Sequence, residues 1–326
     1  MLDGTISQAL PVLGSSWRYS CFSSHASTSF LLNLQTPLMG FYPQSNRWQC
    51  GPFALKHALA ILGQFVDEKE LTKRAKTTRS GTDEKMLTKA ANCFQAELKE
   101  IRKTDEDSAH KALTTYLRKG VPCLLCINQW GHWVTVVGYD PRKDKFVVID
   151  SEKDPVVRIP SWTELKRRWV YNDHMKDGTL KEYYDLYPVK TRYRLQTKAN
   201  FSIARAMFLR RPSNAGFVKH FDEYVMDMVD LAHLRAPNPR SVAISMAEFL
   251  RRHGKMLTET VSYMHGGVTH AQLNRILRNM QFVSETYGLV IRQDEEKRTI
   301  AAIAALLMTW ATSHEPVLGG GALYGK

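Results

Sequence analysis

Apolar residues recur along this chain at two spacings, and the switch between them divides it. GPFALKHALAILG (51–63) turns apolar at helical spacing, and Gly63 supplies a stop. The same spacing predicts helices over 67–76 and 82–97. Then the pattern changes. VPCLLCIN (121–128), HWVTVVGYD (132–140) and KFVVID (145–150) are short, apolar and β-branched, as strands are. The turn residues DPRKD join the last two into a hairpin. SWTE at 161–164 has capping-box spacing, with Ser161 as cap and Glu164 reaching back, and opens a helix through Trp169. From about 196 the helical spacing returns: Phe217, Phe221, Tyr224, Val225, Met228 and Leu231 trace one helix face, which Pro237 and Pro239 end. Further helices are predicted over 240–252, 269–287 and 295–312. Helices first and strands second predict an α+β domain over 41–195. A helical accessory domain over 196–326 follows it, and a lead-in without a readable pattern over 1–40 precedes it.

Composition narrows this picture. The 326 residues suffice for one large domain or two ordinary ones, and 44% hydrophobic with 24% charged residues is the balance of a globular protein. The sequence has no run of about 18 apolar residues, so no membrane span is expected. Cys21, Cys50, Cys93, Cys123 and Cys126 are too few for a disulfide scaffold and point to a reducing compartment, by default the cytoplasm. The Ser-rich first 40 residues carry only Asp3 and Arg18 as charges; an organellar leader would be richer in Arg. A net charge of +13 favours an anionic partner, but the excess is spread, with 18 Lys and Arg against 11 acids from residue 191 onward. Without a basic run, nucleic acid is not the expected partner. VTHAQLNRILRN (268–279) reads as a packed helix rather than one that enters a DNA groove.

The candidate chemistry begins at Cys50, at the mouth of the 51–63 helix and six residues after Gln44. With Gly51 and Pro52 opening the helix, Cys50 is expected at its cap, where the macrodipole favours a thiolate. His132 heads one strand of the hairpin and Asp150 closes the other. In an antiparallel pair, opposed residues have a constant index sum. An even sum, 282 or 284, puts His132 and Asp150 on one face, and an odd sum would separate them. The Cys50 amide and the Gln44 side chain could then hold an oxyanion. Rival constellations are weaker. His57 lies seven residues along the helix from Cys50, about 10 Å by helical rise, and reads as a core histidine. Cys123 and Cys126, three apart on a strand, face opposite ways and do not suit zinc.

QSNRWQCGPFAL followed by GHWVTVVGYDPRKDKFVVID resembles the bacteriocin-processing, double-glycine cysteine peptidase family of the papain-like clan. Phytochelatin synthases, relatives within the clan, have a similar opening. The resemblance covers about residues 38–170 and implies a papain-like domain in which the Cys-bearing helix packs on an antiparallel sheet. It implies a thiol hydrolase cleaving peptide or isopeptide bonds, with Cys50, His132, Asp150 and Gln44 filling the family's catalytic positions. Trp48, Trp130 and Trp133, with Gly51 and Gly131, flank this site as candidate substrate walls. The expected partner is a peptide or protein; neither cofactor nor metal is called for. A phytochelatin synthase-like transpeptidase and a non-catalytic peptide-binding module are the alternatives. Gln49 departs from the acidic residue common before the family's nucleophile. The ending LGGGALYGK has the look of a double-glycine signal around Gly319–Gly321, although a flexible terminus explains it more simply.

Overall fold

The computed structural model describes residues 40–192, 201–232 and 242–313. The lead-in before residue 40, Pro237, Pro239 and the Gly319–Gly321 tail lie outside them. The elements in chain order are α1 (Cys50–Ile61), α2 (Glu68–Arg74), α3 (Glu84–Cys93), β1 (Ala96–Leu98), β2 (Ile101–Lys103), α4 (Glu106–Arg118) and β3 (Cys123–Ile127). Next come β4 (His132–Asp140), β5 (Lys145–Ile149), β6 (Val157–Arg158), α5 (Trp162–Trp169), β7 (Tyr171–His174) and β8 (Leu180–Thr191). The remainder is α6 (Ile203–Leu209), α7 (Ala215–Lys219), α8 (Phe221–Leu231), β9 (Ala243–Ser245), α9 (Met246–Met264), α10 (His270–Tyr287), β10 (Val290–Arg292) and α11 (Glu296–Ser313).

One antiparallel sheet runs β1-β8-β3-β4-β5-β6, with β2 and β7 also paired to β8. Its two faces bury alternate residues, as the strand period requires. Leu124, Cys126 and Trp133 meet Cys50, Ala54 and Leu87 on the α1–α3 side. Cys123, Leu125, Val134 and Val136 meet Leu113 of α4 and Leu165 and Trp169 of α5 on the other. Cys123 and Cys126 therefore do face opposite ways. A third core joins the sheet to the helical residues: Val137, Val147, Ile149, Phe41 and Ile61 pack with Phe201, Phe217, Phe221 and Phe282.

The strand and capping expectations for 121–169 are met: the Ser161–Glu164 capping box closes in both directions at the start of α5. Three helical expectations differ. The 82–97 helix stops at Cys93, because Ala96–Leu98 pairs with β8. The stripe from Phe217 to Leu231 belongs to two helices that part at His220, and α9 runs on to Met264. Two elements give no clear pattern in sequence. In α4 the buried stripe is thin, Ala109, Leu113 and Leu117 among Thr and charged residues. In β8, Pro188 reads as a break, yet it falls where the neighbouring edge passes from β1, which ends its pairing at Val189, to β2, which begins at Leu186. The missing N–H there leaves no gap in a ladder.

Candidate active site

Two packed elements bring the site together. Cys50 is the first residue of α1, directly after a 3-10 turn at Arg47–Gln49. Gln49, not Cys50, takes the cap position, so the expected start is displaced by one residue and the sulfur sits in the first turn at the positive end of the dipole. Gly51 permits a close approach: a Cβ there would lie 3.2 Å from Thr82 Cβ. The Thr135 hydroxyl donates to the Ala54 carbonyl at 2.6 Å inside the core, fixing α1 against the strand headed by His132.

The hairpin has the even register near its open end, with Thr135 opposite Ile149 and Val136 opposite Val148. A bulge between Val136 and Gly138 makes the register odd beyond it. At the bulge the sheet meets the chain at Phe201: the Val137 carbonyl accepts the Phe201 N–H at 3.4 Å, and a Cβ at Gly138 would come within 1.9 Å of the Phe201 carbonyl oxygen. At the open end His132 and Asp150 share a face, and His132 Nε2 lies 2.8 Å from Asp150 Oδ1. Both are buried, at 6% and 0% exposed, as is Cys50 at 5%. Cys50 is close enough to His132 to favour a proton on its ring. Asp150 occupies Nε2, which leaves Nδ1 as the ring nitrogen available to another partner.

Charge follows from this geometry. Burial opposes a proton on His132, but the Asp150 hydrogen bond and charge, with Cys50 beside the ring, outweigh it and push the imidazole up to about 9. For Asp150 burial acts upward, while the His132 bond and charge, and the Arg168 guanidinium, hold the carboxyl below its usual range. Asp150 Oδ1 also accepts the Glu152 amide at 3.2 Å, and Oδ2 faces the Arg168 nitrogens at 3.4 Å.

Gln44 is held beside this pair. Its amide nitrogen donates to the Asn46 carbonyl at 3.0 Å, its amide oxygen accepts from Ser151 Oγ at 2.6 Å, and its backbone N–H donates to the Ser151 carbonyl at 2.9 Å. Ser151, which no sequence pattern singles out, thereby ties the Gln44 segment to the residue after Asp150. The turn ahead of His132 is unusual: Asn128, Gln129 and Trp130 all have positive φ, between 56° and 59°. Gly131 follows, its N–H donating to the Asn128 carbonyl at 3.1 Å. Trp130 is 41% exposed and stacks flat on Tyr171 at 3.6 Å. Trp48 is half-buried in the 3-10 turn. Trp133 is buried on the α1–α3 side, its indole N–H donating to the Thr82 carbonyl at 3.0 Å.

The rival residues behave as core. His57 is fully buried between Phe41 and Phe53, and neither ring nitrogen has a hydrogen-bond partner among the described residues. Burial, with Lys56 nearby, keeps it well below the usual histidine range and hence neutral. Burial likewise pushes the Cys126 thiol up to about 12. His132, Asp150 and Glu152 offer ligand atoms within 4.8 Å of one another, but His132 Nε2 and Asp150 Oδ1 there already bind each other.

Residues 39–170 match the Peptidase C39 family. The chain is similar in structure to the peptidase domain of Streptococcus ComA, a bi-functional ABC transporter involved in quorum sensing (19% identity, 45% of this chain and 97% of that one, TM-score 0.34). It is also similar to a double glycine motif protease from an AMS/PCAT transporter in complex with its leader peptide (18%, 48% and 96%, TM-score 0.35). A third similar structure is a C39-like peptidase from Bacillus anthracis (15%, 47% and 94%, TM-score 0.34). None of the curated proteins matches the chain. Over residues 39–170, about two fifths of the chain, the protein is therefore similar to the cysteine peptidases of the C39 family, and it shares their papain-like arrangement of helix and antiparallel sheet.

Proposed function

We propose that the domain cleaves a peptide or isopeptide bond through Cys50, His132 and Asp150. Cys50 Sγ attacks the carbonyl carbon and the carbonyl oxygen becomes an oxyanion. His132 passes its proton to the leaving nitrogen as the C–N bond breaks, and a thioester remains. Water, deprotonated by His132, then attacks the thioester; acid product leaves and the thiol is restored. Asp150 keeps the ring turned toward sulfur. Gln44 spends one amide hydrogen on Asn46 and has a second for the oxyanion, beside the Cys50 amide. Trp130, at the exposed rim two residues from His132, is the candidate side-chain contact for substrate.

The observation that carries this reading is the buried imidazole bound by a buried carboxylate at 2.8 Å, with the buried thiol at the mouth of α1 close enough to favour its proton. Iodoacetamide at mildly acidic pH tests it. Cys50 is buried and Cys93 exposed, so faster alkylation of Cys50 requires activation rather than access. Equal or slower reaction of Cys50 would refute the proposal. A peptide library incubated with and without a free amine would then separate hydrolysis from transpeptidation.

A further inference from the structure

Arg168 lies in the last turn of α5, outside the Cys, His and Asp positions, and holds both flanks of His132. Its Nη1 and Nη2 each approach Asp150 Oδ2 at 3.4 Å, long for hydrogen bonds and so chiefly an ion pair, made to a carboxylate with no exposed surface. Its Nε donates to Asn128 Oδ1 at 3.2 Å, and its backbone carbonyl accepts the Asn128 N–H at 2.6 Å. Asn128 opens the run of three left-handed residues that delivers the chain to His132. Three consecutive non-glycine residues in that region persist only where their surroundings hold them. Here the surroundings are the end of α5 and β7. Besides Arg168, Gln129 Oε1 accepts the Asn172 N–H at 3.2 Å and Trp130 lies on Tyr171.

The base from which Arg168 reaches out is firm. Leu165 and Trp169 are buried one turn apart, and the Trp169 indole donates to the Asp185 carbonyl at 2.8 Å. Lys166 Nζ and the Trp162 indole both bind the Glu106 carboxylate, at 2.7 and 2.8 Å. Arg168 itself is 37% exposed, so no core depends on its stem.

We infer that Arg168 is a positioning residue: by gripping Asp150 and the 128–130 turn with one guanidinium, it sets the angle at which His132 meets Cys50. This rests on the proposed roles of those three residues. A planar fork can serve both acceptors at once, whereas an ammonium cannot. A cation that acted by charge alone would be replaceable by lysine.

The test compares Arg168→Lys, Arg168→Gln and Asn128→Gly with the unaltered chain. Asn128→Gly keeps the left-handed backbone and removes only the acceptor of Arg168 Nε. Peptide turnover and the pH profile of Cys50 alkylation are read, with thermal unfolding alongside. Both Arg168 variants are expected to lose roughly 10- to 100-fold in kcat, with little change in KM. At mildly acidic pH their Cys50 is expected to alkylate roughly tenfold more slowly. Asn128→Gly should show the same change in smaller degree. Wild-type kcat and profile in Arg168→Lys would overturn the inference in favour of simple charge, and an unaltered profile with a lowered Tm would reduce Arg168 to a structural role. If Cys50 of the unaltered chain is itself no more reactive than Cys93, the peptidase reading falls and this inference with it. A reactive wild type with unaffected variants refutes the inference alone.

Discussion

The open end of the β4–β5 hairpin and the helical residues packed beyond it bury opposite materials. The first puts His132, Thr135, Asp150 and Ser151 out of water, and each has a partner of defined geometry. The second is chiefly aromatic: Phe221 alone touches Phe41, Phe201, Phe217, Phe282 and Tyr287, at centroid distances from 4.9 to 6.4 Å. Polar burial is unforgiving, since a one-residue slip would separate His132 from Asp150 and leave both unpaired. Aromatic burial tolerates adjustment and yields mainly free energy. The difference predicts that damage to the first region appears in turnover and damage to the second in stability.

The largest expected effect is that of Asp150→Asn. It keeps the volume and disturbs the hydrogen bond that orients His132, so kcat should fall by roughly a hundred- to ten-thousand-fold. Steady-state kinetics against thermal unfolding would check it, and a loss of Tm with retained kcat would break the comparison from one side. Phe221→Ala attacks the other side. Removing a fully buried ring with five aromatic neighbours should cost about 3–5 kcal/mol of stability, read by urea unfolding, while kcat per folded molecule stays as it was. Were kcat to collapse as in Asp150→Asn, the helical region would have to be counted into the site.

A smaller effect separates the two regions by pH. The His132 proton is held more tightly in the fold than the ordinary histidine value of about 6.5. Its contribution to stability is therefore complete below that value and lost as pH rises through about 9. Turnover should decline through the same range, because the ring must carry a proton for the leaving nitrogen. In Asp150→Asn the alkaline limb should move toward lower pH, and in Phe221→Ala it should stay in place. A limb that moved equally in both variants would mean that His132 answers to the fold as a whole.

The two regions also differed in how far the sequence revealed them. Cys50, His132, Asp150 and Gln44 could be singled out because helix spacing, strand spacing and turn residues each constrain local geometry, and a two-residue period converts strand position into face. The even register was legible for that reason, whereas the bulge beyond Val136 was not: Gly138 there lies against the Phe201 backbone, 63 positions away, a contact that no local pattern reveals. Arg168 was hidden in a different way. In LKRRW it looks like one of several basic residues suited to a helix C-terminus, and nothing local separates the arginine that meets Asp150 from its neighbours. Pro188 hid β8 because a proline's cost depends on whether a partner strand is present, which only the assembled sheet decides.

The smallest prediction concerns the support beneath Arg168. Ser161 caps α5, its hydroxyl accepting the Glu164 N–H at 3.3 Å while Glu164 returns to the Ser161 N–H at 2.7 Å. Ser161→Ala should cost about 1 kcal/mol. In a unit of this size that corresponds to a Tm lower by about 2 °C, measurable by calorimetry. The cap is at one end of α5 and Arg168 near the other, and Leu165, Trp169 and the Glu106 pairings hold the span between them. Fraying at the first turn should stop short of Asp150, leaving turnover and its pH profile unchanged. A drop in kcat out of proportion to that small loss of stability would show that α5 moves as one rigid lever, and the boundary between the polar end and its supports would then lie a full helix further from Cys50.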